Sequence, residues 1–141
     1  PMCRGASSEG RWRLGRRLQG RRPQPTVSAK VRVVKKPWGR ERIFAHTRKY
    51  AGKLLIIEKG RRLSLQYHRR KHESLFVLRG KLTLRLGRST RRVGPGEAFD
   101  IPPKTVHRFA ARHGRVTLLE VSTPELDDVV RLSDDYGRAG E

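Results

Sequence analysis

The segment GRRLSLQYHRRKHESLFVLRG, Gly60 to Gly80, decides how this chain is read. It is bounded by glycines, and it holds the densest set of ligand-type side chains in the sequence. Gln66 and His68 lie two apart, so on a strand they share one face while Tyr67 takes the other. After a basic turn through Arg69, Arg70 and Lys71, Glu73 opens a returning strand that ends at Gly80. A further histidine, His107, follows Ile101-Pro102-Pro103, where another strand-length run begins. If the shared face is the inside of a small barrel, an amide oxygen, two imidazoles and a carboxylate meet in its mouth. Such a set suits one divalent ion, Zn, Fe, Mn, Co or Ni, and ligand type alone does not choose among them. His72 adjoins Glu73 and points to the opposite face, and His46 and His113 stand in polar surroundings and read as exposed.

Outward from this segment the chain keeps the same rhythm. Lys53 to Glu58, Ser74 to Leu78, Lys81 to Leu86, Ala98 to Ile101, His107 to Ala110 and Val116 to Ser122 are strand-length runs rich in aliphatic and β-branched residues. Turns at Gly60, Arg79-Gly80, Gly87 and Gly94-Pro95-Gly96 separate them. In Lys81 to Leu86 the alternation is clean, with Leu82, Leu84 and Leu86 on one face and Lys81, Thr83 and Arg85 on the other, as a half-buried strand requires. The predicted class is all-β: a small antiparallel β-barrel or jelly roll over residues 31–141. A short helical or irregular cap is expected from Glu125, where Leu126, Val129, Val130 and Leu132 make a brief amphipathic pattern. Residues 1–30 carry Gly, Ser, Arg and Pro without helix or strand periodicity and read as a disordered basic arm.

Charge bounds the function. The 141 residues include 34 Lys plus Arg against 13 Asp plus Glu, a formal charge of +21. Eight of the basic residues fall in the arm, and the rest spread singly along the strands without forming a stripe. Nucleic acid is therefore an unlikely main partner, and a small anionic substrate meets the charge better. No apolar run approaches the roughly 18 residues of a membrane span, and the N-terminus lacks the apolar core of a secretory signal, so a cytoplasmic protein is expected. Cys3 stands alone, which leaves no internal disulfide and no cysteine-based zinc site.

The spacing is more specific than the residue types. Gly60, Gln66, His68, Glu73 and Gly80 resemble the first motif of the cupin family, with Gln66 where many members have His. Gly96, Pro102 and His107 resemble the second, with Lys104 in place of its usual Gly and Ala111 in place of its final Asn. Lys36-Pro37-Trp38-Gly39 with Glu41, then Tyr50, Lys53 and Leu63-Ser64-Leu65-Gln66, and finally Asp127-Asp128-Val129-Val130-Arg131 leading to Asp134-Asp135-Tyr136-Gly137-Arg138, narrow the likeness further. They resemble the cupin domain of type II mannose-6-phosphate isomerase, the C-terminal part of bifunctional enzymes whose N-terminal part is a mannose-1-phosphate guanylyltransferase. No Gly-rich phosphate loop opens a helix here, so guanylyl transfer is not expected, and the chain reads as a stand-alone cupin.

The resemblance implies metal-dependent interconversion of mannose 6-phosphate and fructose 6-phosphate; the alternative is a cupin that binds another phosphorylated or nucleotide sugar, with or without turnover. An aldose to ketose isomerase moves a proton between C1 and C2. It needs an electrophile for the oxygens, a base, and a cationic grip on the phosphate. The metal ligands are Gln66, His68, Glu73 and His107. Glu120, a carboxylate in the apolar Leu119-Glu120-Val121 strand, is the expected base, with Lys53 as a second inward-facing catalytic group. Arg62, Lys71 and Arg138 are the expected phosphate ligands. Trp38 reads as a hydrophobic plug for one barrel end rather than a sugar-stacking platform. By analogy with cupins, the barrels pair as a homodimer.

Overall fold

A computed structural model describes residues 28–140, so the arm lies outside the described residues up to position 27. Eleven strands follow: β1 Arg32–Lys36, β2 Gly39–His46, β3 Ala51–Ile57, β4 Leu65–Tyr67, β5 Glu73–Arg79, β6 Leu82–Leu86, β7 Ser89–Val93, β8 Ala98–Ile101, β9 His107–Ala110, β10 Val116–Ser122 and β11 Val130–Ser133. They form two sheets, ordered β1-β2-β3-β10-β5-β8 and β11-β4-β9-β6-β7, and their pairings are antiparallel. The all-β barrel expected from the alternation is present, with every anticipated strand within a few residues of its predicted bounds.

The sheets face each other across one core. Leu55, Ile57, Leu75, Val77, Leu82, Leu84, Phe109 and Leu118 are buried in it, and Phe99 meets Phe109 edge to face at 5.9 Å. Trp38 belongs to this cluster at 3% exposure, as a plug would. Two turns need glycine. At Gly80 (φ 80°) a Cβ would come within 2.3 Å of the Arg115 carbonyl, and at Gly39 (φ 152°) within 1.9 Å of the Ile56 carbonyl.

The C-terminal segment is irregular up to Val129 and then becomes a strand rather than a helix. β11 pairs with β4, setting Val130 opposite Tyr67 and Arg131 opposite Gln66. A four-residue apolar pattern fits either period, and pairing with an open edge of the sheet decides it.

Candidate metal centre

Register places the site. In the smaller sheet one inward row reads Arg131, Gln66, His107, Leu86 across β11, β4, β9 and β6. In the larger sheet the facing row reads Ile43, Lys53, Glu120, Leu75 and Phe99 across β2, β3, β10, β5 and β8. His68 stands just past β4, Glu73 is the first residue of β5 and His107 the first of β9. The chain thus delivers all three from strand ends at one mouth of the barrel.

His68, Glu73 and His107 are 1–2% exposed, and their candidate ligand atoms lie within 4.8 Å of one another. Glu73 Oε1 is 3.3 Å from His68 Nε2 and 3.2 Å from His107 Nε2. Each imidazole turns its other nitrogen to a backbone carbonyl, His68 Nδ1 to Asp128 O at 2.5 Å and His107 Nδ1 to Thr105 O at 2.8 Å. A carbonyl only accepts, so each Nδ1 carries a proton, and in the neutral form of either ring the lone pair is then on Nε2. His107 Nε2 finds no partner of hydrogen-bonding geometry, although Glu73 is close. Two imidazole lone pairs and a carboxylate oxygen converging in a buried space are a donor set for a cation, and the residues present fit a divalent metal. Gln66 lines the same cavity, its Oε1 accepting from Ser64 Oγ at 2.6 Å.

Beside this triad runs a buried chain of alternating charge. Lys71 Nζ lies 2.7 Å from Glu73 Oε2 and 3.1 Å from Glu120 Oε1, while Lys53 Nζ lies 3.7 Å from Glu120 Oε2 and 3.1 Å from Glu41 Oε1. Burial and the neighbouring Glu73 charge push Glu120 up to about 7, against the pull of Lys53 and Lys71. Burial would also raise Glu73, but the adjoining His107 and His68 imidazoles and the charge of Lys71 outweigh it and hold Glu73 well below the ordinary carboxylate range. For Lys71 burial acts downward, and Glu120 and Glu73 together reverse it, so the ammonium form is favoured.

These groups line a cavity of about 420 Å³. Lys53, Lys71, Glu120, Gln66, His68 and Glu73 share its wall, and Arg138 joins them with its guanidinium held bidentate by Asp134 at 3.0 and 2.9 Å. Arg62 is placed elsewhere. It lies on the exposed side of the barrel in a bidentate pair with Asp135 at 2.7 and 2.9 Å and is not among the residues lining the cavity. Lys71 is buried between two carboxylates rather than presented to solvent. Arg32, Lys36 and Arg131, for which the sequence suggested no role in the site, also line the cavity. Arg131 could have been found from its place opposite Gln66 once its segment was read as a strand. His72 and His113 are exposed, and the exposed His46 contacts the Pro124 carbonyl at 3.0 Å.

The family model described as mannose-6-phosphate isomerase C-terminal matches residues 24–134. The chain belongs to that family. It is 31% identical over 112 residues to the mannose-1-phosphate guanylyltransferase ManC of Salmonella typhimurium, covering 76% of this chain and 23% of that protein. It is also 31% identical over 113 residues to the alginate biosynthesis protein AlgA of Pseudomonas aeruginosa, covering 77% of this chain and 23% of that one. The domain therefore spans about a quarter of the length of these curated relatives. An RmlC-like cupin from Shewanella frigidimarina shares the fold, with a TM-score of 0.64 at 15% identity over 70% of this chain and 88% of that one. Among the described residues no helix of this cupin domain is long and apolar enough to cross a membrane.

Proposed function

We propose that this domain is a metal-dependent sugar-phosphate isomerase interconverting mannose 6-phosphate and fructose 6-phosphate. The observation that carries the reading is a cation-ready triad, two of whose members, His68 and Glu73, line the same cavity as a buried carboxylate raised to about 7. Gln66, His68, Glu73 and His107 hold the ion, with Zn as the first choice. When bound, the ion supplies a Lewis-acidic contact for the carbonyl and hydroxyl oxygens of the sugar. Glu120 takes the proton from one carbon of the C1–C2 pair and returns it to the other, a task suited to a base that titrates near neutrality. Lys53, 3.7 Å from Glu120, holds the carboxylate in place and donates to a sugar oxygen. The phosphate lies toward the cationic rim of Arg32, Arg131 and Arg138. Arg62, outside the cavity, and Lys71, enclosed between Glu73 and Glu120, are not assigned to it. A homodimer is proposed through the outer face of the larger sheet, where Phe76, Leu78 and Val121 are exposed.

A coupled assay for fructose 6-phosphate formation with Zn, Mn and Co tests this reading. Turnover that is lost in Glu120→Gln, in protein that still takes up metal, is expected. No turnover in folded, metal-loaded wild type would reject the isomerase.

One observation favours a second reading. A cleft of about 700 Å³ adjoins the first cavity, shares Arg32, Ile43, Leu126 and Asp127 with it, and adds Phe44 and Tyr50. A longer ligand, such as a nucleotide sugar held without turnover, would use both spaces. Saturable binding of a nucleotide sugar, weakened by Tyr50→Ala, would support this reading over the first.

A further inference from the structure

We propose that Asp128 is a positioning residue for the metal centre, one residue that fixes the histidine tautomer through its main chain and the turn joining two of the ligands through its side chain. The proposal rests on the metal reading above. His68 is oriented by the main-chain oxygen of Asp128, sixty residues away in sequence, on the connection between β10 and β11. A carbonyl on such a connection directs an imidazole only if the connection itself is held in place.

The Asp128 carboxylate supplies that hold. Its oxygens accept from the backbone N–H groups of Arg69 at 3.0 Å, Arg70 at 2.6 Å and Lys71 at 2.9 Å. Those three residues form the turn between His68 and Glu73. Asp128 thus grips the ring with its main chain and the following turn with its side chain, so neither shifts without the other. Thr123 closes the far end of the same turn, its hydroxyl accepting from His72 N–H at 3.1 Å and its own N–H donating to His72 O at 3.0 Å. Lys71 then carries the geometry to the third group, holding Glu73 Oε2 at 2.7 Å and leaving Oε1 toward the histidines.

The chemistry needs this arrangement. Only the Nδ1–H tautomer of His68 presents a lone pair at Nε2, and losing an outer partner of a metal-bound imidazole typically weakens the metal by about 10–100-fold. In Asp128→Asn one of the two accepting oxygens becomes an NH₂ group that cannot accept from the turn, the turn loses its charged acceptor, and the carbonyl moves with it.

The test compares wild type, Asp128→Asn and Glu97→Gln. Glu97 accepts from Gly94 N–H at 2.5 Å in the turn between β7 and β8, so it is a carboxylate clip of the same kind outside the metal cavity. Equilibrium dialysis with zinc is expected to show at least about 10-fold weaker binding in Asp128→Asn and wild-type affinity in Glu97→Gln. Nitrogen-15 shifts of the His68 ring in metal-free protein should report the Nδ1–H tautomer in wild type and a mixture in Asp128→Asn. Asp128→Ser keeps one acceptor for the turn and is expected to change both readouts in the same direction, which covers the case that Asp128→Asn does not fold. Wild-type affinity and tautomer in the folded Asp128 variants would overturn the proposal. So would losses that merely track thermal stability across all variants. If wild type takes up no zinc, the metal reading fails on its own, and the tautomer comparison alone decides the role of Asp128.

Discussion

The two halves of the barrel interior are made by the same strands and hold opposite chemistry. From mouth to floor, the inward residues of β3 read Lys53, Leu55, Ile57, those of β5 read Glu73, Leu75, Val77, and those of β9 read His107, Phe109. On β10 the order along the chain is reversed, but the sense is the same, with Glu120 at the mouth, then Leu118 and Val116. The floor is a hydrophobic core that any sequence of suitable volume would supply. The mouth buries acids and bases that tolerate loss of water only because each touches an opposite charge or waits for a cation. The difference teaches that a period of two selects the face of a strand, whereas position along that face separates stability from chemistry.

The comparison breaks most visibly at Glu120. Glu120→Ala leaves Lys71 and Lys53 each with one carboxylate fewer, and a loss of about 3–5 kcal/mol in urea unfolding is expected, as for a broken buried pair. If stability were the purpose of the mouth, replacing the pair with Glu120→Leu and Lys71→Met together would not recover that loss; recovery without isomerase activity is the expected result. Two residues along the same strand, Leu118→Ala removes fully buried apolar volume and should cost about 2–5 kcal/mol while leaving metal content unchanged. A change in metal content there would mean that the halves are not separable.

How much of this was legible in the sequence follows the same division. The floor was readable because alternation such as Leu82, Leu84, Leu86 needs only neighbouring residues. The triad was readable because His68 and Glu73 lie close in sequence and His107 opens its own strand. The burial of Lys71 was not: in a basic turn it reads as a cation free to hold phosphate, and its enclosure depends on Glu120, 49 positions away. Arg62 was not either, since its partner Asp135 lies 73 positions away on the outer surface. Arg32 and Arg131 reach the cavity from edge strands whose pairing local pattern does not reveal.

A smaller effect appears on titration of the metal-free protein. Because the folded Glu120 titrates at about 7, above its ordinary 4.5, the native state keeps a proton that the unfolded chain gives up between those values. The Glu120 contribution to stability is therefore present below about pH 4.5 and is lost as pH rises toward 7. Urea midpoints should decline across that window, and the decline should be absent in Glu120→Gln. Glu73 acts in the opposite sense, stabilising above its ordinary value and less so as pH falls below it.

Smaller still is the change at Lys104, whose φ of 64° lies in the left-handed region while its N–H donates to His68 O at 2.6 Å. Lys104→Gly should relieve about 1 kcal/mol of backbone strain and raise the melting temperature without altering metal binding. Least is expected of Arg62→Ala, which removes a half-exposed ion pair worth about 0–1 kcal/mol and should leave both metal content and sugar binding intact.

The central claim is that the barrel mouth is a metal centre, and elemental analysis of untagged protein tests it most directly. Wild type is expected to carry one divalent ion per chain, and His68→Ala and His107→Ala, checked for folding, are expected to lose it. Equal metal content in all three proteins would contradict the account.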